Sequence, residues 1–287
     1  MKKITILIAV LGLLCCVSCN RNGSEPKIIR NAVKDYDGNK YDAVKIGKQT
    51  WMQTNLRTTH YSDGTPIASG VGEDVLTPAY CEIPGVDAVS HGLLYNWYAA
   101  TRNAENTNGQ IQGVCPKGWH LPTSEEWKTL VSAVEGHSDG YYGNHAASAM
   151  ASQAGWQYYP PINVDSIHRA YDSLAQIYGS DIPWDNSYDS IECAELVARY
   201  QYCPGANLAN NNTSGFSAVP AGRASSTPGV LGKWADFWCS GESPDYYQVA
   251  QFVDIYYGSS GVDVYDGREG LWGTDKWYAL SVRCVKD

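Results

Sequence analysis

The first nineteen residues decide the chemistry open to everything that follows. Lys2 and Lys3 give a positive start, Ile4 to Leu14 run apolar except for Thr5, and Cys16-Val17-Ser18-Cys19 closes the segment. A charged start, a short apolar stretch and a small residue at the cut describe an export signal. The stretch falls short of the roughly 20 apolar residues that a spanning helix needs. Its end resembles a lipobox, in which Ser18 precedes a cysteine, Cys19, that is acylated after cleavage. Residues 1–18 are thus expected to be removed as a signal peptide. Cys16 stands where that motif usually has Leu, and Leu13-Leu14-Cys15-Cys16 offers a second register, with acylation at Cys16. Each buried CH₂ adds about 0.8 kcal/mol of membrane affinity, so two or three acyl chains anchor durably. The expected location is the cell envelope, lipid-anchored, with the outer membrane favoured. Asn20 and Arg21 follow the cysteine where an acidic run would mark surface display, so the periplasmic and extracellular faces both stay open.

Export leads to an oxidising compartment, where an even cysteine count implies disulfides. Beyond the leader stand Cys81, Cys115, Cys193, Cys203, Cys239 and Cys284. Spacing alone cannot choose their pairing, although Cys193 and Cys203 flank a short segment and could close a local loop. No Cys/His cluster has zinc spacing. Loss of Lys2 and Lys3 with the leader takes the net charge from −9 to −11. That argues against nucleic acid and anionic lipid surfaces as partners, since both demand a basic footprint. With 21 Tyr and 10 Trp against 3 Phe, the chain favours rings that carry a polar tip, which suit half-exposed binding faces. Partial core packing is the competing role for these rings.

Residues 19–32 read as a lipidated polar tether. A domain over 33–287 follows. Asp37-Gly38 marks a turn, and a hairpin across Gly47-Lys48 joins a strand at 41–46 to one at 49–52. One helix is expected at about 91–102, with Leu94, Trp97, Tyr98 and Thr101 on a face. A second follows Pro122, where Thr123 and Glu126 form a capping-box pair. Trp127, Leu130, Val131 and Val134 give it a buried stripe, and Gly136 ends it. Residues 158–207 carry two further amphipathic patterns and read as a helical insertion. Asn207 to Ser214 is a polar loop. Strand-like runs at 237–240, 247–257 and 277–285 complete the chain, so the expected class is α+β with the terminal strands meeting.

Five phrases in order then resemble one family. They are Gly92-Leu93-Leu94-Tyr95-Asn96-Trp97, Val114-Cys115-Pro116-Lys117-Gly118-Trp119-His120-Leu121-Pro122-Thr123 with Glu126-Trp127, Gly215-Phe216-Ser217-Ala218-Val219-Pro220-Ala221-Gly222-Arg223, Phe237-Trp238-Cys239-Ser240-Gly241-Glu242, and Ser281-Val282-Arg283-Cys284-Val285-Lys286-Asp287. Together they resemble the Fibrobacter succinogenes major paralogous domain family over about 33–287, apart from the 158–207 block. The resemblance implies a C-type-lectin-like fold, distantly like formylglycine-generating enzymes: a small twisted antiparallel sheet, two main helices and long loops. It also implies lipoproteins or secreted surface proteins of Bacteroidetes and Fibrobacteres. Cys115 and Cys284 match family positions and become the candidate disulfide. Cys239 stands where the family commonly has Ser.

The functional expectation is a non-enzymatic binding or adhesion domain whose ligand is a glycan or an envelope protein. The candidate ligand-binding residues are Trp234, Trp272, Asp275 and Trp277: rings to stack on sugars and a carboxylate on a late loop. No cofactor is expected. Calcium is conceivable from Asp275 and the Asp263 to Glu269 loop, but the six to eight oxygens it wants are not assembled in the sequence, and the Glu-Pro-Asn triplet of sugar-binding lectins is absent. One alternative is a formylglycine-generating-type oxidoreductase, which would need a reactive cysteine pair with copper. Cys239 and Cys284 are the late cysteines, and an oxidising setting favours bridging over reactivity. A structural envelope component is the other alternative. His120 is expected to be packed or hydrogen-bonded rather than a base. Asp165-Ser166-Ile167, Asp172-Ser173-Leu174 and Asp189-Ser190-Ile191 resemble a short O-glycosylation signal.

Overall fold

The computed structural model describes residues 25–72, 75–104, 109–135, 145–161, 199–225, 228–229, 231–267 and 273–287. The chain begins with strands β1 (Lys27–Lys34), β2 (Lys40–Ile46) and β3 (Gln49–Met52), then β4 (Ala68–Ser69) and β5 (Ala79–Cys81). A short helix α1 (Ala88–His91), strand β6 (Leu94–Asn96), helix α2 (Trp97–Thr101) and strand β7 (Trp119–His120) lead to α3 (Ser124–Glu135) and α4 (Ala146–Met150). The last part holds β8 (Arg223–Ala224), β9 (Pro228–Gly229), β10 (Trp234–Glu242), β11 (Val249–Tyr256), β12 (Val262–Tyr265), β13 (Thr274–Asp275), β14 (Ala279–Ser281) and β15 (Val285–Lys286). The class is α+β, as expected.

Two sheets form among the described residues, where one small sheet was expected. The first has the order β1-β2-β3-β15-β7, so the last strand closes beside the first hairpin, with Val285 opposite Trp51 and His120. The second runs β12-β11-β10-β14-β6-β5-β4. The β2–β3 hairpin turns at Gly47, at φ +56. Strand β1 starts inside the segment expected as tether: Lys27 and Ile28 pair with Lys45 and Val44, and Lys27–Lys34 is therefore sheet.

The helix expected at 91–102 is also redrawn. Leu94, Tyr95 and Asn96 are strand, because they pair with Ser281, Leu280 and Ala279 on one side and with β5 on the other. Tertiary pairing overrides the helical pattern. Asn96 then caps α2, its Oδ1 accepting from Ala99 N at 2.9 Å. The helix after Pro122 forms as read. Thr123 N donates to Glu126 Oε2 at 2.9 Å, and Glu126 N donates to Thr123 Oγ1 at 3.2 Å. Gly136 lies outside the described residues, as do the helical patterns of the insertion and the three Asp-Ser-apolar triplets. The insertion's ends meet: Tyr159 N donates to Gly205 O at 2.9 Å, and Tyr200 Oη donates to Tyr159 O at 2.9 Å.

Strands β10 and β11 divide the interior. Alternation sends Ala235, Phe237, Val253 and Ile255 toward α3 and α4, and Trp238 and Phe252 toward β6 and α2. On the first side Trp51, Trp127, Phe216 and Phe237 pack ring on ring at centroid distances of 4.7 to 6.1 Å. Tilted and edge-on pairs of this kind add about 0.5–1.5 kcal/mol each beyond burial.

The run expected as one long final strand breaks at 282–284, where the chain leaves the second sheet and joins the first. Arg283 sits at that crossing with 0 % exposure. Its Nε and Nη2 donate to Asn55 Oδ1, at 3.1 and 2.7 Å. Nη1 donates to Met52 O and Phe216 O, at 3.1 and 2.6 Å, and Nη2 also donates to Ser217 O at 3.2 Å. All five guanidinium donors are used. The carbon of the guanidinium lies 4.5 Å from the Phe216 ring centre and 5.5 Å from that of Phe237. Burial pulls its pKa down to about 9, which leaves it cationic at neutral pH. The next residue, Cys284, is bonded to Cys115, 169 residues earlier, so the expected disulfide is present.

Replacing Arg283 by Met keeps the volume and orphans four acceptors. Each buried unpaired group costs about 1–3 kcal/mol. Urea unfolding of Arg283→Met should show a loss of at least about 3 kcal/mol. Arg30→Met, which breaks an exposed ion pair with Asp42, should cost no more than about 1 kcal/mol. Equal midpoints for the two variants would contradict this reading.

Candidate functional site

The sequence-predicted ligand residues do not gather at one place. Trp234 opens β10 opposite Tyr256, their ring centres 4.7 Å apart. Asp275 pairs with Val249, at the other end of β11. Seven residues of strand separate the two positions, about 23 Å at 3.3 Å per residue. Trp277 stacks on Tyr278 at 4.1 Å and is half-buried. Trp272 lies outside the described residues. Among the described residues, no group of three or more His, Cys, Asp or Glu is arranged to hold a metal ion. No described helix is long and apolar enough to cross a membrane.

The cysteines separate as well. Cys284 is spent on Cys115, and Cys81, Cys203 and Cys239 are free thiols. The even count beyond the leader therefore resolves into one bridge among the described residues, and Cys193, the proposed partner of Cys203, lies outside them. Cys239 is fully buried among Phe237, Trp127 and their neighbours. Burial pushes its thiol well above the ordinary range, and pushes those of Cys81 and Cys203 up to about 11.

A groove of about 810 Å³ opens between the end of α3, α4 and the polar loop at 207–213. Its walls present His145, Tyr202, Gln153, Gln201, Asn210 and Asn211. The His145 and Tyr202 rings lie 4.6 Å apart. Burial, with help from Arg199, holds His145 below its ordinary pKa, so it is neutral at pH 7. The loop is built for rigidity. Asn207 Oδ1 accepts from Ala209 N at 3.2 Å to start a short 3₁₀ turn. Asn212 takes a left-handed φ of +68, its N donating to Ser148 O and its Oδ1 accepting from Ser217 N. Gln153 Nε2 donates to the Ala209 and Asn211 carbonyls. Asn211 is 2 % exposed; its Nδ2 donates to Ser152 O and Pro204 O, while its Oδ1 is buried with no partner. Such a set of amides, hydroxyls and rings can hydrogen-bond and stack but carries little charge. By its sequence this stretch reads as a polar loop and no more. The signal was Gln201-Tyr202 followed closely by the Asn210-Asn211-Asn212-Thr213 run.

His120 forms a second polar centre, beside a cleft of about 190 Å³ that Gln110, Gln112 and Asp287 also line. The ring is 3 % exposed, with Nδ1 2.7 Å from Asp287 Oδ1 and Nε2 2.9 Å from Glu126 Oε1. Both ring nitrogens are engaged, so neither is free to act as a base. The histidine instead ties the end of the chain to the capping carboxylate of α3, in line with the packed and hydrogen-bonded role expected for it. Burial alone would lower its pKa, but the two carboxylates outweigh burial and raise it. Burial would likewise raise Glu126, yet His120 and Thr123 bring it down to about 2. The raised histidine contributes stability that is full below its unfolded value near 6.5 and is lost as pH rises through the folded value. Glu126 has the opposite sign: its contribution is lost as pH falls below the ordinary carboxylate range. Wild-type urea midpoints should therefore fall between pH 6.5 and mildly alkaline pH, and His120→Gln should flatten that slope. Parallel slopes would show that the ring does not titrate in this contact.

Among curated proteins and among solved structures, none matches the chain. The profile of the Fibrobacter succinogenes major domain family matches residues 44–286, from within β2 to the end of β15. Four of the five phrases that carried the resemblance surround Arg283 or the β10–β11 divide, and the fifth holds Cys115 and the His120 tie. The chain belongs to the Fibrobacter succinogenes major domain family.

Proposed function

We propose that this protein is an exported lipoprotein, acylated on Cys19, whose domain binds a neutral glycan without chemical turnover. The observation that carries the reading is the groove at 207–213: two rings and several side-chain amides, on a backbone fixed by its own hydrogen bonds. Sugars present alternating hydroxyls and apolar ring faces, which amides and aromatic rings complement. An anionic polymer is disfavoured by the acidic balance of the mature chain and by Glu135 at the groove's edge. The lipid anchor places such a groove in the envelope, where glycans are abundant ligands. An envelope protein as ligand is the second outcome that the experiment below distinguishes.

The free thiols favour this reading over the formylglycine-generating alternative. A thiol-dependent oxidoreductase needs an accessible thiolate, whereas Cys284 is bridged and Cys239 is buried and protonated.

The soluble domain should bind neutral oligosaccharides on a glycan array. Tyr202→Ala and Gln153→Ala should each weaken binding about tenfold, or about 1.4 kcal/mol, while Trp277→Ala leaves it unchanged. Loss with Trp277→Ala and none with Tyr202→Ala would place the site elsewhere. An empty array with a captured envelope protein would replace the glycan by a protein ligand. In cells, Cys19→Ala should abolish acyl labelling and Cys16→Ala should retain it; the reverse would move the anchor to Cys16.

A further inference from the structure

Three aspartates stand in a row across three neighbouring strands. Asp236 on β10 lies opposite Asp254 on β11, and Asp254 lies opposite Asp263 on β12. Residues directly opposite on an antiparallel pair point to the same face, with Cβ atoms about 4.5–5.5 Å apart. This is the face that carries Trp238 and Phe252, away from α3. Asp236 is 0 % exposed and Asp254 is 7 % exposed. Each has a buried Oδ1 with no hydrogen-bond partner.

The charges facing this row do not balance it. Arg223 on β8 donates from Nε to Asp236 Oδ2 at 2.7 Å and lies over the Phe252 ring at 5.3 Å. The other titratable groups acting on the row are Tyr265, which hydrogen-bonds Asp254, and Tyr278, which acts on Arg223. One guanidinium therefore meets three carboxyls. Two ionised carboxylates side by side in a buried site repel each other and lack the water that would offset it, so one of them takes a proton. Two buried acceptors without partners, on residues directly opposite each other across a strand pair, are each satisfied by one proton held between them.

We propose that Asp236 and Asp254 share one proton at neutral pH, forming a carboxyl–carboxylate pair that ties β10 to β11. Arg223 keeps the charge on Asp236, and Asp254 carries the proton. Burial raises Asp236 as well, against the opposing pull of the Arg223 guanidinium; burial and the neighbouring carboxylates raise Asp254 well above its ordinary value, and burial raises Asp263 to about 6. A carboxyl raised in the folded state holds its proton more tightly there than in the unfolded chain. Its contribution is full below the ordinary carboxylate range and is lost as pH rises through the folded value. The device makes this sheet firmer in mildly acidic surroundings, and it is independent of what the groove binds.

The test is carboxyl-carbon NMR on the ¹³C-aspartate-labelled soluble domain, titrated from acid to alkaline pH. One resonance of the Asp236–Asp254 pair should keep the shift of a protonated acid at pH 7. Asp254→Asn, an isostere of the protonated form, should remove that resonance and lessen the fall of thermal stability with rising pH. Both resonances ionised at pH 7 would overturn the proposal. So would a thermal midpoint raised by millimolar calcium chloride in wild type and not in Asp254→Asn, because a cation would then occupy the place of the proton. Should Asp254→Asn fail to fold, the wild-type titration decides alone.

Discussion

Arg283 is a fully buried cation whose hydrogen-bond partners include no carboxylate, and the two sheets depend on how it is satisfied. A charge taken out of water is costly unless every donor finds an acceptor. Here the acceptors come from segments far apart in sequence: Met52 at the end of β3, Asn55 just beyond it, and Phe216 and Ser217 in the loop before β8. The chain crosses between sheets at this residue, with Met52 N donating to Cys284 O and Leu56 N to Val282 O on either side. Two rings cover the guanidinium, and the Cys115–Cys284 bridge fixes the next residue.

That constraint accounts for residues that look unrelated in the sequence. Asn55 offers both Arg283 contacts through one oxygen because its Nδ2 is held by His91 O and Ser281 Oγ. Gly92 follows His91 because a Cβ there would stand 2.5 Å from Asn55 Cβ. Gly215 and Ser217 take left-handed φ values of +78 and +60, which turn the Phe216 and Ser217 carbonyls toward the guanidinium. A Cβ at Gly215 would meet Pro26 at 2.6 Å. Several of the family phrases thus supply the partners of one buried cation and its bridge: Phe216, Ser217 and Phe237 around Arg283, and Cys115 with Cys284. They identify a scaffold, and the groove lies beside the place where the insertion returns to it, at Gln201 and Tyr202.

Local signals were readable and long-range ones were not. The Thr123–Glu126 capping box, the Gly47 hairpin and the stripe of α3 depend on neighbours within a few residues, and they formed as the pattern predicted. Leu94 to Asn96 carried a helical pattern but were claimed by β14, which lies far away in the chain, and by β5 on the other side. Lys27 to Ala32 looked like tether because this part of β1 stays mostly exposed and carries little apolar alternation of its own. Cysteine counting implied full pairing, yet burial of Cys239 in the aromatic core serves packing instead of bridging. The groove stayed hidden because its walls come from three segments that only the fold assembles. Trp234 and Asp275 looked like partners because strand register, which separates them, is not written in composition.

At neutral pH Arg283 remains a charged, fully hydrogen-bonded hub. The most direct measurement is nitrogen-detected NMR of the Arg283 guanidinium in the soluble domain at neutral pH. Distinct, slowly exchanging signals are expected for the Nε–H and the individual Nη–H protons, because five contacts stop rotation about the C–N bonds. A single averaged Nη signal that exchanges rapidly with water would contradict it.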